Sequence, residues 1–275
     1  MDPASERTGG ATDVVVATYN IHGCVGSDKR FDLGRIARVV EEIGADVVAL
    51  QEVGDVRGRG PAGNYATELG ERLGMVALYQ PTMVRGDRAY GNAILTRFVV
   101  EGSRSYDLSI SDREPRGCLR ADLRIAGTAI HVFGLHLGLS RREQRAQSGM
   151  LLGAEIVRDA ALCWPLIVMG DFNFWVNGPI ARTVRRALID VAVAAGNPAP
   201  TFPARSPIFR LDRIYVDAAW EVDAAWVHRS DLSRVASDHL PLCARLRLRG
   251  GGTRLPPGTE RGAVATPASE AGAGV

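Results

Sequence analysis

Between residues 13 and 249, short apolar runs alternate with amphipathic segments and with clusters of turn-forming residues. Uninterrupted apolar runs predict buried strands, and strict alternation of apolar with charged residues predicts a half-exposed strand, which RGCLRADLRI illustrates. The apolar run TAIHVFGLHL follows it closely enough to be its hairpin partner. The strands predicted in this way are 14–19, 46–50, 116–125, 128–137, 165–169, 209–216 and 241–248.

Segments in which apolar residues follow helical spacing lie between several of these strands, and each of these predicted helices carries a start or stop signal. Caps favour helix ends because they satisfy backbone groups that the helix itself leaves unpaired. The first predicted helix, Leu33–Ile43, has Asp32 as its N-cap and Gly44 after its end, and the second, Tyr65–Leu73, stops at Gly74. A third begins at the capping box of Ser140 and Glu143 and continues through about Asp159, and a fourth begins at Gly178-Pro179.

Buried and half-exposed strands occur together, with helices between them, which indicates an α/β fold. We expect two packed mixed β-sheets with helices outside, a four-layer α/β/β/α sandwich. No linker or repeat interrupts residues 13–249, so this range is interpreted as one domain. The polar residues 1–12 and the Gly/Ala/Pro-rich residues 250–275 are predicted to be disordered tails.

Composition adds only weak constraints. The formal net charge of +2 does not by itself indicate a nucleic-acid partner, and the use of Lys29 as the single lysine is typical of a codon bias toward arginine. The four cysteines form no C-x-x-C pair, which fits a reducing compartment. Without a signal-like N-terminus or an apolar run long enough to span a bilayer, we expect a cytoplasmic enzyme, monomeric and not inserted in membranes.

Polar residues follow or begin the apolar strands at several points. If these strand ends converge, they form an oxygen-rich cleft, and carboxylate and amide oxygens are the ligands that Mg²⁺ prefers. Glu52 is the best single ligand candidate, with Asn20 beside it. The residues in question are Asn20, Glu52, His136, Asp171, Asn173, Asp212, Asp238 and His239.

The GDFN segment places a carboxylate and an amide two residues apart. If the segment is extended, Asp171 and Asn173 point the same way and can hold one attacking water; the alternative is a plain Asp-Asn turn. In SDHLP, adjacent side chains diverge, so we expect Asp238 to orient something other than the ring of His239. A protonated His239 could stabilise charge on a phosphoryl oxygen.

The ordered motifs TYNIHG, LQE, YGNAILTR, GDFN, RLDRIYV and SDHLP resemble those of the endonuclease/exonuclease/phosphatase (DNase I-like) superfamily, over nearly all of residues 13–249. The chain looks most similar to small bacterial members of unassigned substrate. Abasic-site endonucleases carry Asp and Asn where this chain has His22 and His136, so cleavage of abasic DNA is not expected.

The resemblance implies a role for each matching position. It implies that Asn20, Glu52 and Asp238 bind the metal, and that Asp238 and His239 form the terminal Asp-His pair. Asp171 and Asn173 are implied to activate and orient water, and Asp212 to support His239. His136 is implied to act at the phosphate, and Asn92 and Arg116 to lie near the substrate. The general base stays open between Asp171 and His239. The implied cofactor is Mg²⁺, with Mn²⁺ as a substitute.

We therefore expect a Mg²⁺-dependent phosphoester hydrolase that directs water in line at phosphorus, with phosphodiesters favoured over monoesters. The substrate stays open among nucleic acid, phospholipid and small phosphoesters such as sugar phosphates. A non-catalytic binding protein of the same fold is the alternative from another class. Gly58, Gly60 and Gly63 match G-x-G-x-x-G, but Pro61 has no amide to offer a pyrophosphate, so loop 54–64 is interpreted as a mobile rim of the cleft.

Overall fold

A computed structural model describes residues 13–162 and 165–249. The predicted tails, 1–12 and 250–275, and Cys163 lie outside the described residues. The described residues form β1 (Asp13–Asn20), β2 (Val47–Gly54), β3 (Val76–Arg85), β4 (Arg88–Thr96), β5 (Val99–Asp107), β6 (Gly117–Ile125), β7 (Thr128–His136), β8 (Leu166–Asp171), β9 (Ile189–Asp190), β10 (Asp212–Val216), β11 (Trp220–Val227) and β12 (Leu242–Leu248). The helices are α1 (Leu33–Ile43), α2 (Tyr65–Leu73), α3 (Arg141–Leu151), α4 (Pro179–Ala187), α5 (Val191–Ala194) and α6 (Ser233–Ala236), with a 3-10 turn at His22–Cys24.

The strands form two six-stranded sheets, in the orders β11-β12-β1-β2-β4-β3 and β5-β6-β7-β8-β10-β9. Each sheet contains one central parallel pair, β1 with β2 and β7 with β8, and the other pairings are antiparallel. Both sheets are therefore mixed, as predicted. The two parallel pairs bring their carboxyl ends to the middle of their sheets.

Apolar side chains make three buried layers. The central layer lies between the sheets, where Val16 and Ile94 from the first sheet join Val132 and Ile214 from the second. A second cluster joins α1 and α2 to the first sheet, and a third joins α3 and α4 to the second sheet. The predicted four-layer α/β/β/α sandwich is confirmed.

Most of the predicted helix ends are confirmed. The Asp32 side chain accepts a hydrogen bond from the Arg35 N–H, Gly44 is left-handed just after α1, and Ser140 forms its capping box with Glu143. The predicted end of α3 near Asp159 is wrong, because the helix ends at Leu151. Glycine is a poor helix former, and Gly153 lies in the tight turns that replace the last predicted helical residues.

Five strands were not predicted, namely β3, β4, β5, β11 and the two-residue β9. Pro81 within β3 and Gly91 within β4 weaken the strand pattern, although the two strands pair around a tight turn at Gly86, where φ is +61°. β5 has few buried side chains, so its sequence lacks an apolar face. In the described residues, no helix is both long enough and apolar enough to cross a bilayer.

Candidate active site

A cleft with a volume of about 270 Å³ lies at the carboxyl ends of the two central parallel pairs. The pairing register aligns Asn20 with Gln51 in the first sheet and His136 with Asp171 in the second, so the polar strand ends face one another across the sandwich. The cleft is lined by Glu52, Arg116, His136, Asp171, Asn173, Asp238 and His239, among other residues. Asn20 and Asp212 lie immediately behind these side chains.

Glu52 reaches the cleft through an irregularity of β2. The pairing of β2 with β4 shifts register between Leu50 and Val53, and Glu52 has a φ of +57°. A non-glycine residue rarely adopts this left-handed conformation, and it occurs where a bulge re-aims a side chain toward a functional site. The Glu52 side chain keeps 20% of its surface exposed.

The Asn20 side chain connects two carboxylates that come from different sheets. Its Nδ2 donates to Glu52 Oε1 at 3.0 Å and to Asp171 Oδ2 at 3.1 Å. Its Oδ1 accepts the backbone N–H of His22. Asn20 therefore faces the two carboxylates with its amide nitrogen, and its role as a metal ligand stays a prediction.

The GDFN segment is not extended. β8 ends at Asp171, Asn173 has a φ of +52°, and the Asn173 N–H donates back to Asp171 Oδ1 at 2.9 Å. The segment forms the Asp-Asn turn that the sequence left as the alternative. Because the turn carries the Asn173 amide to the Leu137 carbonyl at 2.9 Å and to His136 Nε2 at 3.1 Å, it still lies at the cleft.

His239 lies between two buried carboxylates. Its Nδ1 is 2.8 Å from Asp212 Oδ2, and its Nε2 is 3.7 Å from Asp171 Oδ2. Burial lowers the pKa of His239, but the charges of Asp212 and Asp171 outweigh burial and raise that pKa to about 10. Burial also raises the pKa of Asp171, to about 6, against the opposing charge of His239.

His136 differs from His239 in its charge. Burial lowers its pKa well below the usual range, and the nearby charges of Arg116 and His239 act in the same direction. Its Nε2 can then accept the Asn173 amide proton, which leaves Nδ1 as the protonated nitrogen. His136 is therefore a neutral imidazole beside Asp171 Oδ2, at 3.6 Å.

Asp238 contacts His22 rather than its neighbour's ring, as the divergence of adjacent side chains predicts. His22 Nδ1 is 3.3 Å from Asp238 Oδ2 and 3.7 Å from Glu52 Oε2, and its Nε2 is 3.0 Å from Arg59 Nη1. By sequence, His22 was distinguished only as a departure from abasic-site endonucleases. Its place two residues after Asn20, just beyond the end of β1, was the signal that it belongs to the cleft.

Two groups of side chains have the chemistry of metal ligands. Asp171, Asp212 and His239 bring one ligand atom each to within 4.8 Å of one another. A histidine with a pKa near 10 is a poor ligand, however, because a metal needs the deprotonated nitrogen. The half-exposed carboxylates of Glu52 and Asp238, on either side of His22, are the more suitable oxygens for a hard cation.

Arg116 and Asn92, the predicted substrate residues, are both buried but differ in their contacts. Arg116 lines the cleft and pairs with Glu114, while its Nε has no hydrogen-bond partner among the described residues. Asn92 does not line the cleft, and its Nδ2 donates to the Gly117 carbonyl at 2.9 Å. Arg57 and Arg59 from loop 54–64 line the mouth, where Asp55 accepts N–H groups of that loop.

Buried side chains that sequence reasoning missed hold the loops of the cleft. Gln144 Nε2 donates to the Asn173 carbonyl at 2.7 Å, and Gln147 Oε1 accepts the Gly138 N–H at 2.7 Å. Ser237 Oγ donates to the Asn20 carbonyl at 2.7 Å, which ties the segment before β12 to β1. The two glutamines lie three residues apart on the buried face of α3, but a polar residue on a predicted helix carries no sequence signal of burial.

Two mixed sheets whose parallel strands end in carboxylates, amides and histidines define the DNase I-like class of α/β sandwich. The chain belongs to the endonuclease/exonuclease/phosphatase family, whose model matches residues 17–239. It is 35% identical to the uncharacterized protein YbhP of Escherichia coli K12 over 248 residues, 85% of this chain and 96% of that protein.

Solved structures agree with this assignment. A protein of the same family from Beutenbergia cavernae superposes with a TM-score of 0.71 and 25% identity, over 86% of this chain and 72% of that one. A mannosyl-6-phosphatase from Bacteroides thetaiotaomicron superposes with a TM-score of 0.66 and 21% identity, over 85% of this chain and 99% of that one, which shows likeness of fold alone.

Proposed function

We propose that the protein hydrolyses phosphodiesters with the help of a divalent cation, Mg²⁺ in the first place and Mn²⁺ as a substitute. The observation that carries this proposal is the Asn20 bridge between Glu52 and Asp171, which sets a half-exposed carboxylate beside a buried one. A half-exposed carboxylate suits a cation, and a buried one suits proton transfer. Cation binding and proton transfer are both needed at the phosphorus atom that water attacks.

Asp171 is the general base of the proposed reaction. With a pKa of about 6, its carboxyl group is ionised at neutral pH and still accepts a proton readily. Water oxygen forms a bond to phosphorus while one water proton moves to Asp171 Oδ2. The opposite P–O bond breaks, and the leaving oxygen takes a proton from solvent, which gives an alcohol and a phosphomonoester.

His239 stabilises the charge that develops on the phosphoryl oxygens. Because its pKa is raised to about 10, the ring is an imidazolium at neutral pH and offers Nε2–H to the cleft. Neutral His136 is beside it and acts as a hydrogen-bonding group at the phosphate, while Asn173 orients the water. The reverse assignment, with His239 as base, requires a neutral ring, which Asp212 and Asp171 oppose.

Glu52 and Asp238 would hold the cation, with Asn20 between Glu52 and Asp171. Their fit rests on the chemistry of the donors, which are carboxylate oxygens at a cleft mouth with room for water ligands. The cation would supply Lewis-acid polarisation of the phosphoryl oxygen when bound.

A phosphomonoester of a small molecule is the second candidate substrate. Three arginines, Arg57, Arg59 and Arg116, line the cleft and would help to neutralise a dianion. Because the fold is similar to that of a mannosyl-6-phosphatase, sugar phosphates are among the substrates to be tested. Nucleic acid and phospholipid are the diester substrates to be compared with it.

The test is turnover of bis-p-nitrophenyl phosphate and p-nitrophenyl phosphate with Mg²⁺, followed by plasmid DNA, RNA, phospholipids and sugar phosphates. Glu52→Gln, Asp171→Asn and His239→Gln remove one charge each with little change of shape. Glu41→Gln on the exposed face of α1 is the matched control. We expect the three site variants to lose activity and the control to keep it.

Unchanged turnover in all three site variants would contradict the proposal. Absence of metal-dependent turnover on every substrate, together with tight binding of a protein partner, would favour the non-catalytic alternative. The cytoplasmic location and the monomeric state stay predictions, to be checked by fractionation and by light scattering.

A further inference from the structure

One side of the cleft mouth exposes large apolar side chains. Leu139 follows β7, Trp175 and Val176 follow β8, and Ile208 precedes β10; their exposed fractions are 61%, 41%, 55% and 68%. We call these four residues the apolar rim. Single exposed apolar residues are ordinary, whereas several around one functional cleft mark an interaction site.

Aromatic contacts make the rim continuous from one loop to the next. The Trp175 ring packs edge-on against Phe209 at 5.1 Å and Phe202 at 6.0 Å between centroids. The Ile208 N–H donates to the Phe202 carbonyl at 2.9 Å, and Phe202 packs on His239 at 4.8 Å. The rim is thus attached to the catalytic cleft through Phe202.

A groove of about 150 Å³ extends the rim between α3 and α4. Trp175 lines both this groove and the cleft, so the two depressions adjoin. Phe174, Val176 and Ile180 line the groove with Arg141 and Arg145 on its α3 side, and its lining, within the part of the chain that is described, includes no Asp or Glu.

The two helices beside the groove are strongly basic. Their acidic residue is Glu143, which is buried and engaged with Ser140. No carboxylate of residues 13–162 or 165–249 lies within 4.0 Å of their arginines, so this positive charge is not neutralised within the described chain. The arginines are Arg141, Arg142, Arg145, Arg182, Arg185 and Arg186.

Apolar side chains beside unneutralised arginines match an anionic lipid surface better than a nucleic acid. Among the rim residues only Trp175 has a ring on which a base could stack, whereas Leu139, Val176 and Ile208 have none. In a bilayer the aliphatic side chains enter the acyl boundary, tryptophan lies at the headgroup level, and arginines bind lipid phosphates. A lipid surface therefore suits both the apolar rim and the arginines beside the groove.

We propose that the apolar rim and the arginines of α3 and α4 dock the protein on an anionic phospholipid bilayer, with the cleft mouth toward the headgroups. The docking is peripheral, and it holds whether or not lipid is the substrate.

The experiment is cosedimentation of the full chain with vesicles of phosphatidylcholine, with and without about a third of phosphatidylglycerol, at about 0.1 M salt. A chelator prevents turnover, so failure of the proposed hydrolysis cannot affect the result. The variants are Arg141→Glu with Arg145→Glu, and Leu139→Asn with Val176→Asn. Arg38→Glu on α1 and Val99→Asn on β5 are the matched controls, since Arg38 and Val99 are exposed elsewhere.

We expect binding only to the anionic vesicles and a decrease in affinity of about fivefold for each basic residue removed from the surface. The rim variant should also bind at least fivefold more weakly, and both controls should bind within twofold of the wild type, as order-of-magnitude limits. Circular dichroism checks that every variant is folded.

A blue shift of tryptophan fluorescence on anionic vesicles should disappear in Trp175→Phe. Equal binding of the surface variants and the controls, or no binding of the wild type, overturns the proposal. So does preferential binding of a single-stranded oligonucleotide that is weakened by the same arginine changes, because the surface would then serve nucleic acid.

Discussion

The central strand pairs of the two sheets end beside each other, yet their side chains differ in burial. At the end of β1–β2, the Glu52 side chain is 20% exposed, and the neighbouring Asp238 is 37% exposed. At the end of β7–β8, Asp171 is 2% exposed, and Asp212 on the adjacent strand is 0% exposed. The same arrangement of strands therefore delivers carboxylates into two different environments.

This difference in burial assigns two proposed roles, cation binding and proton transfer, to different carboxylates of the site. A carboxylate that remains partly in water keeps its charge and can exchange water for a cation. A carboxylate removed from water has a raised pKa, as Asp171 has, and becomes useful for moving protons. Asn20 joins the two environments, because its amide contacts Glu52 and Asp171 at once.

Asp171→Asn should give the largest effect, since it removes the proposed base but keeps the size of the side chain. We expect kcat at saturating Mg²⁺ to fall by about 10³-fold, within the range for loss of a general base. Metal affinity should stay within a few-fold of the wild type. Turnover of bis-p-nitrophenyl phosphate and calorimetric titration with Mg²⁺ measure the two quantities, with Glu41→Gln as control. A loss of metal affinity as large as the loss of kcat would contradict the proposed division of roles, in which the buried carboxylates move protons and the more exposed ones bind the cation.

Glu52→Gln should show the opposite division. We expect Mg²⁺ or Mn²⁺ affinity to fall on the order of 100-fold, because even the indirect partners of metal ligands are worth 10- to 100-fold. Mn²⁺ binding is read directly by electron paramagnetic resonance, without any turnover. If Glu52→Gln leaves Mn²⁺ affinity intact while Asp171→Asn or Asp212→Asn abolishes it, then the buried group of carboxylates holds the cation.

Asp212→Asn tests the buried half through stability. Removing one member of a buried ion pair leaves the other uncompensated, so we expect the free energy of unfolding to decrease by about 3 kcal/mol in chelator at about pH 6. The pKa of His239 is raised by folding, so the pair stabilises the fold fully below about pH 6.5 and loses this contribution as the pH rises through about 10.

Denaturant unfolding of the wild type and Asp212→Asn at about pH 6 and about pH 10 measures this loss. The difference between the two proteins should shrink at the higher pH. Asp217→Asn is a useful comparison because Asp217 is also buried but follows β10 at the end opposite to Asp212. A difference that grows with pH would contradict the protonated state of His239.

The sequence predicted the layers and the strand-end residues because both follow from local patterns. A buried strand that runs into Asn20 or Asp171 is visible without any knowledge of its partners. The positive φ of Glu52 was not predictable, since it results from the register of β2 on β4. The turn at Asn173 was one of two alternatives left open by the sequence, and its hydrogen bond to Asp171 decides between them. Long-range contacts decide such details.

Residues that act through others were also missed. Gln144 is a polar residue on a helix, which by sequence alone looks like part of a solvated face. Only the packing of α3 shows that its amide reaches the carbonyls of Gly138, Leu139 and Asn173.

Gln144→Leu should therefore lower kcat by about tenfold, because the Asn173 loop loses its support while substrate binding is kept. It also leaves buried carbonyls unpaired, at about 1–3 kcal/mol of stability. Gln80→Leu is the matched control, because Gln80 is also a buried glutamine whose amide donates to a backbone carbonyl, that of Tyr106 at 3.0 Å, but it does not line the cleft. It should cost similar stability but leave kcat within twofold as an order-of-magnitude limit. Equal losses of kcat in both variants would mean that general destabilisation, not positioning, is responsible.

His22→Asn should give the smallest effect and sharpen the account of the half-exposed carboxylates. His22 Nδ1 lies between Asp238 and Glu52, so we expect it to hold the two carboxylates in place rather than to bind the cation itself. On that basis Mn²⁺ affinity falls by about tenfold, the low end of the range for an indirect partner of metal ligands, and kcat at saturating metal is unchanged. His228→Asn, which removes a surface histidine paired with Glu42, is the control. A loss of Mn²⁺ affinity as large as that of Glu52→Gln would instead make His22 a ligand, and the half-exposed side of the cleft would then favour a transition metal over Mg²⁺.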